Sequence, residues 1–190
     1  MAAASTFVPL NRAWENPPVD ADQLRAAQAP LKERYRSTPT DAVTALHAAG
    51  TAAEAAPTFS VAQWVGPTRA GLHPATGGDG ADACSGDMLL EAVLACAGVT
   101  LRSVAVSSGL AIGSVTGRAT AMFDARGTLG IDRTVPVGIQ DLTLEFTVDG
   151  EITDAQLERL ARMTERYCVV GQSLAQPPVV TVLRTDDPAG

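Results

Sequence analysis

The order of elements from residue 57 onward predicts an α+β fold, with helices laid on a sheet. Three observations carry this. Residues 88–110 form a long apolar run dense in Ala and Gly, two later segments alternate strictly between apolar and polar residues, and a capped amphipathic pattern follows them. The chain has 190 residues, 46% hydrophobic and 18% charged, which suits one globular domain with an extension. At that length a compact fold hides roughly 70% of its unfolded surface, so a core forms without disulfides or a structural metal.

Residues 1–50 read as a helical, peripheral extension, and residues 51–190 as the α+β domain. Pro17 and Pro18 precede an Asp/Gln/Ala-rich run expected to stop near Pro30, with a second short helix through Tyr35. Thr38-Pro39-Thr40-Asp41 supplies a capping residue, a proline at the first helical position and an acid at the third, which predicts a short helix ending at Gly50. The extension suits a lid, a dimer-packing arm or plain decoration. Pro57 to Val65 predicts a strand, and residues 66–85, with five glycines and two prolines, a long loop.

Ser85 is the expected cap of a helix over Gly86–Ser107, with Asp87 in its first turn, where the dipole favours an acid. Apolar nearly all round, that helix predicts burial on every side. Val115–Phe123 and Leu142–Val148 alternate as half-buried strands. Thr153 with Gln156 forms a capping box and Ile152 with Leu157 a hydrophobic staple, so a helix starts there. Its stripe of Leu157, Leu160, Ala161 and Thr164 reaches Cys168, because eleven residues at ~100° each return to within about 20° of Leu157. Val179–Leu183 closes the fold as a strand.

Composition narrows the function. A formal charge of -7 repels phosphate backbones, and eight scattered aromatics offer no base-stacking platform, so no nucleic-acid partner is expected. Thirteen of the fourteen basic residues are Arg, and Lys32, between Leu31 and Glu33, does not look like a Schiff-base lysine. The run from Met88 to Leu110, broken by Glu91 and Arg102, reads as a buried helix and not as a membrane span. Without a basic, apolar leader the chain is expected to be cytoplasmic. His47, His73, Cys84, Cys96 and Cys168 show no paired spacing, so neither a metal nor another cofactor is expected. There is no Gly-x-Ser-x-Gly elbow, and Gly78-Asp79-Gly80-Ala81-Asp82-Ala83 reads as a turn-rich loop.

The cysteines are more informative. Cys96 lies in the middle of the apolar helix, where a plain core role and a redox role compete. Cys168 ends the amphipathic helix on its inward face, so two helices could carry both thiols into one core. Cys84 precedes Cys96 by twelve residues, ~18 Å along a helix and beyond the roughly 7 Å reach of a disulfide. An intrachain bridge, if formed, would join Cys96 to Cys168.

Two segments resemble a known family. Cys84-Ser85-Gly86-Asp87-Met88-Leu89-Leu90-Glu91-Ala92-Val93-Leu94-Ala95-Cys96 resembles the start of the central helix of OsmC/Ohr proteins, the osmotically inducible and organic-hydroperoxide-resistance family. Thr164-Glu165-Arg166-Tyr167-Cys168-Val169-Val170, followed by Leu174, resembles that family's second cysteine motif. The likeness covers residues 51–184. It implies an intertwined homodimer with antiparallel sheets on a central buried helix, and a peroxidase that reduces organic hydroperoxides with a dithiol reductant as partner. Cys96 would be peroxidatic and Cys168 resolving. Arg69 would assist the thiolate, oriented by Asp87. The family's acid ten residues before the first cysteine is Gly86 here, with Asp87 beside it, and the proline after the second cysteine is Val169. The same pocket would serve an apolar-ligand-binding or dimerisation protein without turnover.

Overall fold

A computed structural model describes residues 20–52, 57–63 and 66–185. Helix α1, Ala21–Ser37, opens with a capping box: Asp20 accepts the Gln23 N–H, and the Gln23 side chain accepts the Asp20 N–H. It runs through Pro30 instead of stopping there. Pro30 and Ala26, whose carbonyl loses its partner, are both exposed, so water satisfies that group. Pro17 and Pro18 lie outside the described residues. The helix expected up to Gly50 is only a 3-10 turn over Pro39–Ala42, because Thr38 makes no side-chain cap and no face is buried. Val43 and Leu46 beyond it are 84% and 88% exposed.

Two small sheets follow. The first has the order β1-β2-β3-β4, with β1 Gly50–Thr51, β2 Phe59–Gln63, β3 Gly66–Gly71 and β4 Ala83–Cys84. Residues 64 and 65, at the end of the strand expected over 57–65, lie outside the described residues. The expected loop over 66–85 therefore holds two strands. β3 pairs antiparallel with β2, Phe59↔Ala70 through Gln63↔Gly66, and parallel with β4 at Ala70↔Ala83 and Gly71↔Cys84. Gly66 has φ +127°, a conformation that suits glycine.

Helix α2 spans Ser85–Ser107, with Cys84 and not Ser85 at its N-cap. The second sheet has the order β5-β6-β7, made of β5 Val115–Met122, β6 Gln140–Val148 and β7 Val179–Arg184. β5 and β6 are antiparallel, β6 and β7 parallel. Each sheet thus contains one parallel pair, so both are mixed where antiparallel sheets were expected. The parallel pair arises because β6 reaches β7 through a crossover: α4 Asp154–Tyr167 and α5 Val169–Gln172. A single turn, α3 Ala125–Thr128, lies between β5 and β6.

The core lies between this sheet and α2 and α4. Val93, Ala97, Leu101 and Ala105 of α2 form one fully buried stripe against Leu144, Phe146 and Val148 of β6. Val180 and Val182 of β7, with Leu157 and Leu160 of α4, complete it. Within one chain α2 is not buried on every side: Val99 is 72% exposed, and Ala92 and Ala95 are exposed with it. With a mean hydropathy of 1.8, α2 is long and apolar enough to cross a membrane, yet its buried stripe is the centre of this core. Gly117 of β5 lies opposite Phe146, and the ring folds over it so closely that an added Cβ would stand 2.7 Å from two ring carbons.

Candidate functional site

The capping box at Thr153 sets the start of α4, and the inward stripe then carries Cys168 into the core, where it is 1% exposed. Cys168 closes α4 and opens α5. Its backbone turns to φ -71°, ψ 102°, its N–H donates to the Thr164 carbonyl at 3.0 Å, and its Sγ accepts the Gly171 N–H at 3.3 Å. A Cβ on Gly171 would meet that sulfur at 3.3 Å and Pro178 at 3.3 Å, so this turn around the thiol leaves little room for a side chain. Cys96, half-buried on α2, packs against the same cluster.

The two thiols are neighbours in this core. Burial is the main force that pushes the Cys168 thiol above its ordinary ionisation range; the Gly171 N–H opposes it, and the neighbouring Cys96 adds to the rise. Both cysteines are reduced. Two thiols carried into one core by separate helices are placed to exchange between a dithiol and a disulfide.

The other two expected site residues sit elsewhere. Arg69 lies on strand β3, not in a loop, and its Nε donates to Asp82 Oδ1 at 2.5 Å. Asp82, 14% exposed in its side chain, therefore holds the position expected of Asp87. The β3–β4 pairing explains this: Ala70 faces Ala83, which brings Asp82 alongside Arg69, whereas Asp87 is exposed in the first turn of α2. A cavity of about 570 Å³ lies at this end of α2, lined by Leu72, His73, Cys84, Asp87, Phe123 and Ile139 among others. Cys84 and Cys96 are about 18 Å apart in helical rise, so this cavity and the thiol pair are separate places.

His73 accepts the Ala75 N–H on Nδ1 at 3.0 Å and meets Phe123 edge-on at 5.2 Å. Among the described residues, no three His, Cys, Asp or Glu gather to hold a metal. The sequence reading missed Asp82, Gly171 and the surroundings of Thr164. Asp82 had a signal in the loop 78–83, but its partner depends on strand pairing.

Such an arrangement defines a class: an α+β domain whose long helix and following crossover helix each place one cysteine in a shared core. The family described as OsmC-like protein matches residues 78–183, more than half of the chain, and the chain belongs to that family. Solved structures share the fold. An OsmC-like protein of unknown function from Vibrio cholerae O1 biovar eltor str. N16961 superposes with a TM-score of 0.61 at 15% identity, over 74% of this chain and 100% of that one. An organic hydroperoxide resistance protein from Elizabethkingia anophelis gives 0.56 at 15%, over 76% and 98%. Another, OsmC from Legionella pneumophila, gives 0.55 at 14%, over 75% and 98%. No curated protein matches the chain.

Proposed function

We propose that this chain is a thiol-dependent peroxidase that reduces organic hydroperoxides in the cytoplasm, with Cys96 peroxidatic and Cys168 resolving. The observation that carries this reading is that both thiols belong to one core, Cys168 inside it and Cys96 packed against it. Their burial divides the roles: Cys96 is half-buried and can meet a hydroperoxide, whereas Cys168 is 1% exposed and reaches only its neighbour. The Cys96 thiolate attacks the distal peroxide oxygen, the O–O bond breaks, and the alcohol leaves with a proton. Cys168 then displaces water from the sulfenic acid to form the disulfide, which an external dithiol reduces.

A peroxidatic thiol reacts as its thiolate, which a nearby cation favours. Arg69 is the candidate, and since β3 holds it at the far end of α2 from Cys96, this reading has it act across a homodimer interface. The exposed Ala92, Ala95 and Val99 on the outer face of α2 support such a dimer. The similarity to organic hydroperoxide resistance proteins supports the substrate class.

The test is one equivalent of cumene hydroperoxide followed by mass spectrometry of unreduced peptides. A Cys96–Cys168 disulfide is expected. A Cys84-linked dimer as the main product, or no oxidation at all, would overturn the reading. The cavity at the start of α2 favours a second reading, an apolar-ligand-binding protein without turnover; an inert thiol pair together with saturable binding of a fatty acid would establish it.

A further inference from the structure

Among the described residues Thr164 is the polar member of the buried set, with no exposed surface, and its hydroxyl has no hydrogen-bond partner. A helical threonine ordinarily settles its hydroxyl on the carbonyl four residues back. Thr100 of α2 does this, donating to the Cys96 carbonyl at 2.8 Å. Thr164 does not, and an orphaned hydroxyl in a core is costly. The other buried side chains of this core are aliphatic or aromatic apart from Cys168, and Cys96 packs against the same cluster. Thr164 stands one turn before Cys168 on the inward stripe of α4, the stripe that continues into the thiol, and its carbonyl accepts the Cys168 N–H. In this core the groups whose demand for a hydrogen bond can change are therefore the two sulfurs. A neutral thiol is a weak acceptor, whereas a thiolate is a strong one.

We propose that the Thr164 hydroxyl is a positioning donor held for the Cys168 thiolate, to which it turns as that sulfur attacks oxidised Cys96. The inference rests on the peroxidase reading for its context. In that step the Cys168 thiolate forms the S–S bond, the S–O bond of the Cys96 sulfenic acid breaks, and the departing oxygen takes up a proton and leaves as water. The oxidising equivalent is the one the hydroperoxide delivered to Cys96. The backbone of α5 already donates to the sulfur, through Gly171 above all, and Thr164 would add a side-chain donor. Cys96 of α2 is the titratable group that acts on Cys168, and α5 offers it backbone N–H groups.

Thr164→Val keeps the shape and removes the donor. In a Cys84→Ser background, the valine variant should unfold at the same or a higher urea concentration. After a stoichiometric pulse of cumene hydroperoxide, its Cys96–Cys168 disulfide should form about tenfold more slowly, with more sulfenic acid trapped by dimedone. In a background lacking Cys84 and Cys96, the ultraviolet absorbance of the Cys168 thiolate should appear at higher pH than in the parent. Thr164→Ser should restore both the rate and the titration. Should the valine variant fail to fold, Thr164→Ala carries the same comparison. A disulfide rate and a titration both equal to the parent's would overturn the proposal. If the parent forms no sulfenic acid, the peroxidase reading fails, and the Cys168 titration still decides whether Thr164 serves that thiolate.

Discussion

Gly117→Ala loads the contact between the sheet and α2 more directly than any other single change. The new Cβ would stand 2.7 Å from Cδ1 and Cε1 of Phe146 and 3.1 Å from Cδ1 of Leu94. The first two distances are about 0.8 Å inside the ~3.5 Å optimum between carbons. Phe146 does not yield easily, since it is 2% exposed and packed in the centre of the core. Overpacking of this kind costs about 1–3 kcal/mol, and replacing a strand glycine returns about 0.5–1, which leaves a net loss of roughly 0.5–2 kcal/mol. For a chain of this size each kcal/mol lowers Tm by about 2–4 °C. Gly98→Ala, on α2 against the same ring, should do the opposite: its Cβ would meet Phe146 Cε1 at 3.7 Å, an ordinary contact, and a helix interior gains about 1 kcal/mol from the exchange. Urea denaturation at one protein concentration, with matching m-values, measures both. A Gly117→Ala variant as stable as the parent, or two variants shifted in the same direction, would refute the packing argument.

Four further outcomes are expected. Cys168→Ser should take up one equivalent of hydroperoxide as sulfenic acid on Cys96, which a second equivalent carries on to sulfinic acid, whereas Cys84→Ser should keep most of the turnover; peptide masses and a peroxide-consumption assay distinguish them. Because burial raises the native Cys168 pKa, the unfolded chain loses its thiol proton first, near pH 8.5. Stability from this group is then complete below that pH and is lost as pH rises through the native value, so Cys168→Ala should flatten the alkaline limb of a stability-versus-pH curve. Arg69→Ala should slow hydroperoxide consumption, with Arg69→Lys a partial rescue and Asp82→Asn a smaller loss of the same sign; an unchanged rate would remove Arg69 from the mechanism. Sedimentation should give a homodimer at micromolar concentration, and Val99→Arg, on the exposed face of α2, should split it into folded monomers.

Where structure followed from nearby residues, it was legible in the chain. The capping box at Thr153 and Gln156, the staple above it and the stripe ending at Cys168 involve residues within a few turns of one another, and α4 forms as the pattern demands. The alternation in β5 and β6 is equally local, and each faces the core as its period of two requires. The same periodicities placed Cys96 and Cys168 on separate helices that could share a core. Other features have no local signature. β3 and β4 lie in a glycine-rich stretch and exist because β2 pairs with β3 and β3 with β4, so register, not composition, makes them strands. That register also decides that Arg69 meets Asp82 and not Asp87. The failure of the helix beyond Ala42 has the same origin: a capping pattern and a Pro at the first position cannot hold a helix with no face to bury. Only the packing of α4 and α5 against α2 decides that Thr164 loses its water without gaining a partner and that Cys168 sits deeper than Cys96, because burial is a property of every element that surrounds an atom and not of the residues beside it in the chain.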